Sequence, residues 1–127
     1  MYTVVIYEDP KGRSDVEEFI KELREASTTS KDASVNFNKV IAYIRMLQKH
    51  GPKMQGKYAK HLEGEIWELR PLSNRILYAH YENGIYVLLH HFRKRTQKTP
   101  RREIERAKRE FEDYKRREGK NEKVEGI

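Results

Sequence analysis

The fold of this 127-residue chain is decided by residues 64–93, which read GEIWELRPLSNRILYAHYENGIYVLLHHFR. From Gly64 onward, apolar and polar side chains alternate with the period of two that is typical of β-strands. Two turn signals interrupt the alternation: residues 71–74, and the pair Asn83 and Gly84, which favours a tight hairpin because both residues tolerate positive φ. The stretch therefore predicts a three-stranded antiparallel meander.

Pairing across these turns assigns the two faces of the meander. If the second turn has two central residues, Leu77 lies opposite His90, and Arg75 lies opposite Phe92. One face then carries Glu68, Arg70, Arg75, Leu77, Leu88, His90 and Phe92, and the other carries Trp67, Leu69, Ile76, Tyr78, Val87, Leu89 and His91. Because the second set is more apolar, we expect it to form the core and the first set to face a groove. A β-bulge would reverse this assignment beyond the bulge.

The residues before the meander predict one strand and a helix hairpin. Residues 3–7 are β-branched or aromatic and end at a turn signal, as expected for a short strand. A capping box at Ser14 and Glu17 begins a first helix that runs to about Ala26. Its apolar stripe is Val16, Phe19, Ile20 and Leu23, and a second helix has the stripe Phe37, Val40, Ile41, Ile44 and Leu47. Gly51 and Pro52 end that second helix.

A last helix follows the meander. Thr99 is the predicted N-cap and Pro100 the first helical residue, and the apolar seam is Ile104, Ala107, Phe111 and Tyr114. Residues 118–127 have little to bury and are expected to form a frayed tail. We therefore predict an α+β fold in one domain, residues 1–117, with an N-terminal strand and helix hairpin packed on a small, mostly antiparallel sheet and a basic C-terminal helix.

Composition indicates a soluble cytoplasmic protein that binds a polyanion. The chain has no cysteine, which fits a reducing compartment, and no apolar run approaches the roughly 18 residues of a membrane span. The formal charge is +7, and residues 93–117 alone contain 12 basic and 5 acidic residues, so the rest of the chain is neutral. Such a local excess is typical of nucleic-acid binding, although a solvated surface helix would show the same pattern.

Two stretches of the sequence resemble a known family: KHLEGEIWELR (residues 60–70) and NRILYAHYENGIYVLLHHFRKRTQKTPRREIERA (residues 74–107). They resemble the HigB, phage-derived (Gp49-like) branch of the RelE/ParE toxin superfamily, most specifically over residues 88–100. The resemblance implies a RelE-like fold and the toxin of a type II toxin–antitoxin system. It also implies a helix-turn-helix (HigA-like) antitoxin as partner, and cleavage of messenger RNA on the ribosome that blocks translation.

The implied chemistry is attack of a ribose 2′-OH on the neighbouring phosphodiester, which needs proton transfer and a counter-charge for phosphorus. By resemblance, Arg75 is the phosphate-binding arginine, and Lys94 and Arg95 are basic residues that follow the last strand. The predicted catalytic residues are Arg70, Arg75, His90 and Lys94, with His90 as general acid or base because histidine ordinarily titrates near neutrality. The predicted RNA contacts are Lys57, Lys60, His61, Arg93, Arg95, Lys98, Arg101 and Arg102. No metal or cofactor is expected, since the histidines lack ligand spacing.

The sequence is also compatible with other roles for single residues and with two other functions. The chain has Glu68 where RelE carries lysines, and this carboxylate could act as a base or as a salt-bridge partner of Arg70 and Arg75. His91, on the opposite face from His90, is expected in the core. A ParE-like toxin that inhibits DNA gyrase would share the fold, and a non-enzymatic nucleic-acid-binding module could use residues 100–117. The run at residues 88–100 favours RNA cleavage over both.

Overall fold

The computed structural model describes residues 1–117, and the predicted tail at residues 118–127 lies outside them. In chain order the elements are β1 (Thr3–Ile6), α1 (Asp15–Ala26), α2 (Lys31–His50), a 3₁₀ turn (Gly51–Lys53), β2 (Ala59–Glu63), β3 (Ile66–Leu69), β4 (Asn74–Tyr81), β5 (Ile85–Arg93) and α3 (Arg101–Arg116). The predicted α+β class is confirmed. Within the described residues, no helix combines the length and apolarity needed to cross a membrane.

The strands form one five-stranded sheet in the order β1-β5-β4-β3-β2. β3, β4 and β5 are the predicted antiparallel meander, and β1 pairs in parallel with β5. β2 is not predicted by the sequence pattern. It is an edge strand with Lys60 and His61 exposed, so it lacks the apolar alternation of a strand that is buried on one face.

The helix hairpin covers one face of the sheet. The Ser14 hydroxyl accepts a hydrogen bond from the Glu17 amide and caps α1, as the capping box predicts, and Ser30 caps α2 in the same way. Between the helices and the sheet lies a core that includes Val4, Val16, Ile20, Val40, Ile44, Leu47, Leu69, Ile76, Tyr78 and Leu88. Trp67 is only partly buried at the border of this core.

The opposite face of the sheet is covered by α3, so the expectation that this whole face lines a groove is wrong. Its apolar seam packs in a second core that includes Val5, Ile66, Leu77, Ala79, Val87, Leu89, Ala107, Phe111 and Tyr114. α3 begins after Pro100, which makes no side-chain capping hydrogen bond. The predicted N-cap, Thr99, instead directs its hydroxyl to Glu68. The end of the sheet near the start of α3 lines an open groove.

The hairpin between β4 and β5 departs from the prediction twice, and the departures cancel. Tyr81 pairs with Ile85, so the connection has one residue more than predicted, and a bulge at Leu89 restores the register. Beyond the bulge, Leu77 faces His90 as expected. Before it, the faces are reversed: Leu88 packs under the helix hairpin, whereas Val87 and Leu89 pack under α3.

Candidate functional site

A basic groove opens where the sheet extends past the start of α3. It encloses about 220 Å³ between β2, the adjoining ends of β3 and β4, and the loop from β5 to α3. The side chains that line this groove are Lys60, His61, Leu62, Glu68, Arg70, Arg75, Phe92, Lys94, Thr96, Gln97, Lys98, Thr99 and Ile104. Six of the sequence-predicted site residues are among them: Lys60, His61, Arg70, Arg75, Lys94 and Lys98.

The groove floor is organised around the buried carboxylate of Glu68. Its Oε2 atom lies 3.6 Å from Arg70 Nε and 3.9 Å from Arg75 Nε. The β3–β4 register brings the two arginines together, since it pairs Leu69 with Ile76 and so aligns the next positions across the turn. One carboxylate between two guanidinium groups leaves a net positive floor, which favours an anion.

Arg75 is a fixed part of this floor and not a free groove charge. Its side chain is 7% exposed, and its Nη1 donates to the carbonyl oxygens of Leu72 at 2.7 Å and Asn74 at 2.8 Å. Burial lowers the pKa of the Arg75 guanidinium, and the opposing effect of Glu68 is smaller. A guanidinium held by two carbonyls has little freedom, so it is preorganised for a phosphate oxygen.

Arg70 presents an unsatisfied donor at the same place. Its Nε atom is buried and has no hydrogen-bond partner among the described residues, although the side chain as a whole is 28% exposed. A buried donor without an acceptor costs about 1–3 kcal/mol. Arg70 also lines the groove, where a guanidinium fork matches the spacing of phosphate oxygens.

The loop from β5 to α3 forms one wall of the groove. The Lys94 amide donates to the Ser73 carbonyl at 2.8 Å, and the Thr96 hydroxyl donates to the Lys98 carbonyl at 2.7 Å. The first bond holds the loop against the β3–β4 turn and the second closes the loop on itself, and both Lys94 and Lys98 line the groove.

Five of the predicted RNA contacts lie outside the groove lining: Lys57, Arg93, Arg95, Arg101 and Arg102. Arg93 and Arg95 are exposed beside it. Lys57 lies over the ring of Tyr58, with 5.1 Å between the ammonium nitrogen and the ring centroid. The predicted RNA contacts therefore fall into two groups, one that lines the groove and one on the surrounding surface.

The expectation that His90 opens into the groove is wrong. His90 does lie on the arginine face, but α3 covers it completely, and its relative exposure is 0%. Its Nδ1 lies 2.6 Å from a carboxylate oxygen of Glu110, and its Nε2 lies 3.0 Å from one of Glu103. A side chain enclosed in this way cannot reach a substrate in the groove, so His90 holds α3 to the sheet.

His91 is also placed differently from its prediction. It lies on the helix-hairpin side as expected, but its side chain is 29% exposed and not in the core. Its Nδ1 is hydrogen-bonded to the Asp15 carboxylate, and its ring stacks on Phe19 with 3.9 Å between ring centroids. His90 and His91 are neighbours on β5 and so point to opposite faces of the sheet. α3 fully covers His90, whereas the helix hairpin covers His91 only in part.

A family model described as phage-derived protein Gp49-like (DUF891) matches residues 21–112, which is more than half of the chain. The chain belongs to this family. It is a toxin family of the RelE/HigB type, so the resemblance read from the sequence is confirmed at the family level. A search of curated proteins found no match.

The Gp49-like match covers every residue that lines the groove, from Lys60 to Ile104. Membership supports a toxin of a toxin–antitoxin system, with an antitoxin as the partner that the family suggests. Among residues 1–117, no group of three histidine, cysteine, aspartate or glutamate side chains is arranged to hold a metal ion.

The basic C-terminal helix of this Gp49-like protein has most of its charges in ion pairs. The pairs join Arg101 and Lys108 to Glu63, Arg106 to Asp15 and Glu110, Lys115 to Glu65 and Glu112, and Arg116 and Arg117 to Asp113. In contrast, Lys60, Lys94 and Lys98 have no ion-pair partner within the described chain. The groove therefore keeps lysines whose charge no neighbouring carboxylate of residues 1–117 neutralises.

Sequence reasoning leaves out part of the groove wall. Thr96 and Gln97 line it but carry no charge, and Thr99 is read from the sequence as a helix cap. Nothing in the local pattern signals that the Thr99 hydroxyl is taken by Glu68, 31 positions earlier. That contact exists because α3 docks on the sheet.

Proposed function

We propose that this Gp49-like toxin is a ribosome-dependent, metal-independent endoribonuclease that cleaves messenger RNA by 2′-OH attack and so blocks translation. The single observation that carries the proposal is the arginine pair on the groove floor. Arg75 is held rigidly by two carbonyls, and Arg70 shares the Glu68 carboxylate with it and has a buried Nε that makes no hydrogen bond within residues 1–117. Family membership supports the same reaction class, because the family is of RelE type.

The reaction divides among the groove residues as follows. Attack of the 2′-oxygen on phosphorus forms a cyclic phosphate and breaks the bond to the 5′-oxygen of the next nucleotide. Arg70 and Arg75 stabilise the extra negative charge that develops on the phosphate oxygens. Lys94 is a flexible ammonium beside them that can donate a proton or a hydrogen bond to the departing oxygen.

Proton removal from the 2′-OH requires a group that the groove exposes. His90 is excluded by its burial, and Glu68 is occupied by two guanidinium groups and Thr99. His61 is exposed at the groove edge, where its Nε2 lies 2.8 Å from the Gly64 carbonyl oxygen. We assign His61 to proton transfer, and Glu68 to positioning the arginines.

The ribosome supplies the binding energy that the groove cannot. The groove is a short, open patch, whereas the remaining cations of α3 are largely neutralised by acidic partners. A few lysines and arginines bind single-stranded RNA weakly at physiological salt. A messenger RNA that the ribosome already holds in place lowers the entropic cost of positioning the scissile phosphate.

The test is incubation of the purified protein with ribosomes translating a defined messenger RNA, followed by mapping of the new 5′ ends. We expect cleavage by the natural chain, about 100-fold less by Arg70→Ala, and unchanged cleavage by Arg109→Ala, which removes an exposed arginine of α3 outside the groove. No cleavage in the presence of ribosomes would contradict the proposal. Loss of DNA supercoiling by gyrase in a parallel assay would favour the ParE-like alternative.

Growth provides the second measurement. Expression of the chain alone should arrest growth and protein synthesis, and coexpression of the cognate antitoxin, a helix-turn-helix (HigA-like) protein, should restore both. Normal growth and translation at high expression of the folded chain would contradict a toxin that acts on translation.

A further inference from the structure

The turn between β3 and β4 contains a residue that the proposed chemistry does not use. Leu72 has a φ of 59°, in the left-handed region that side chains other than glycine and asparagine rarely adopt. It is also 46% exposed, which makes it one of only three large apolar side chains exposed in residues 1–117. Leu72 thus combines backbone strain with an apolar side chain that is not buried.

The turn geometry makes a leucine at this position unexpected. The Asn74 amide donates to the Pro71 carbonyl at 3.0 Å, which closes a four-residue turn with Leu72 at its first central position. A positive φ there is usually supplied by glycine, asparagine or aspartate. The backbone alone would be better served by any of them, so the leucine side chain is the feature that requires an explanation.

The same turn is fixed to both sides of the groove. The Leu72 carbonyl accepts a hydrogen bond from Arg75 Nη1 at 2.7 Å, and the Ser73 carbonyl accepts one from the Lys94 amide at 2.8 Å. Arg75 and Lys94 both line the groove. The turn therefore ties the backbone of Leu72 to groove residues that we assign to the scissile phosphate, while its exposed side chain lies just outside the groove lining.

The proposed reaction needs a distortion of the RNA that these charged residues do not supply. Attack by a 2′-oxygen requires that oxygen, phosphorus and the departing 5′-oxygen lie nearly in line. A regularly stacked RNA strand keeps them out of line, so the stack must be opened at the cleaved step. Proteins that kink duplex DNA insert apolar side chains, such as phenylalanine, leucine or isoleucine, between base steps and so unstack them.

We propose that Leu72 is an apolar wedge that separates the two bases flanking the scissile phosphate and lets the 2′-oxygen align with the bond that breaks. This inference rests on the proposed RNA cleavage. Its ligand is a base step of single-stranded RNA, and its role is substrate distortion and choice of the cleavage position. The strain at Leu72 is retained because glycine or asparagine would fit the turn but could not insert between bases.

The experiment compares three variants on ribosomes programmed with one synthetic messenger RNA. Leu72→Asn keeps a residue suited to the turn but removes the wedge, and Leu72→Met keeps an apolar side chain of similar volume. Val35→Gln is the matched control, since Val35 is also 46% exposed but lies on α2, on the other side of the sheet. Thermal melts accompany each cleavage assay, and Leu72→Asn should melt at the natural temperature or above.

We expect single-turnover cleavage to fall at least 10-fold in Leu72→Asn and to stay within about 3-fold of the natural rate in Leu72→Met and Val35→Gln. A second messenger RNA lacks the base on one side of the cleaved bond, so its stack is already open. On that RNA the deficit of Leu72→Asn should shrink to 3-fold or less, which a merely structural role would not produce.

Two results would overturn the wedge and leave the proposed function in place: natural cleavage by Leu72→Asn, or an equal deficit on intact and abasic RNA. The second result would mean that Leu72 contacts the ribosome and not the base step. Failure of the natural chain to cleave either RNA would refute the proposed function itself, and the wedge with it.

Discussion

The Thr99 hydroxyl donates a hydrogen bond to Glu68 Oε1 over 2.5 Å, and this contact joins the loop before α3 to the floor of the groove. The other oxygen of the same carboxylate faces both Arg70 and Arg75. Glu68 thereby fixes the two arginines and the lysine-bearing loop relative to one another, although it carries the charge opposite to that of the groove.

Substitutions of Glu68 and Thr99 should separate the contribution of the carboxylate charge from that of the hydrogen bond between the two side chains. Glu68→Gln leaves two largely buried guanidinium groups without a counter-charge, so we expect a loss of roughly 3 kcal/mol in the free energy of unfolding and a large loss of cleavage. Thr99→Val removes only the hydroxyl and should cost about 1 kcal/mol. Denaturant melts and ribosome cleavage assays measure both. If Glu68→Gln were as stable and active as the natural chain, Glu68 would have no positioning role.

Replacement of Arg75 should impair both cleavage and stability. The sequence places Arg75 on the face expected to line a groove, and the structure buries it there against two carbonyl groups. Arg75→Ala should therefore lower the free energy of unfolding by about 1–3 kcal/mol and cleavage by about 100-fold. Arg75→Lys is the control for charge, and we expect it to restore more stability than activity. Full cleavage by folded Arg75→Ala would remove Arg75 from the site.

His90→Leu should destabilise the protein without removing the chemistry. The substitution leaves Glu103 and Glu110 facing an apolar side chain, so the free energy of unfolding should fall by roughly 3 kcal/mol. Cleavage by the folded fraction, assayed well below its melting temperature, should stay within a few-fold of the natural rate. A loss of 100-fold in a protein shown to be folded would instead return His90 to the proton-transfer role that the sequence predicts.

The salt dependence of RNA binding should be set more by the groove lysines than by the cations of α3. Removing one phosphate contact lowers the slope of log affinity against log salt by about 0.7 for single-stranded nucleic acid. The double variant Lys60→Ala, Lys98→Ala should therefore lower the slope by about 1.4. Arg101→Ala is the control, because Arg101 is held by Glu63 and Glu105. A loss of about 0.7 in the single-variant control, the value for one full phosphate contact, would show that α3 also binds the RNA.

Acid should weaken the attachment of α3 to the β2–β3 hairpin. Hydrogen bonds from Arg101 and Lys108 lower the pKa of Glu63 from 4.5 to about 2. A pKa that is lower in the folded state means that this stabilisation is present above pH 4.5 and is lost as the pH falls toward 2. The difference in melting temperature between the natural chain and Glu63→Gln should shrink over that interval. A difference that does not change with pH would contradict the ion pair.

The local pattern of the sequence determined much of the fold. The apolar stripes of the three helices face the two cores as predicted, with Phe19, Leu23 and Phe37 partly buried, because helical spacing directly sets which side chains share a face. The arginine pair was also predictable, since a short turn fixes which residues lie opposite each other in β3 and β4. Local geometry alone places Arg70 beside Arg75.

Only the tertiary structure decided which of these residues a ligand can reach. The docking of α3, which involves contacts between residues far apart in the chain, buries His90 and closes most of the face that the sequence assigns to a groove. The same docking places acidic partners beside the α3 cations, so the charge excess of residues 93–117 is not uniformly available. Burial and charge pairing depend on the three-dimensional arrangement of several elements, whereas periodicity and turn signals belong to single segments of chain.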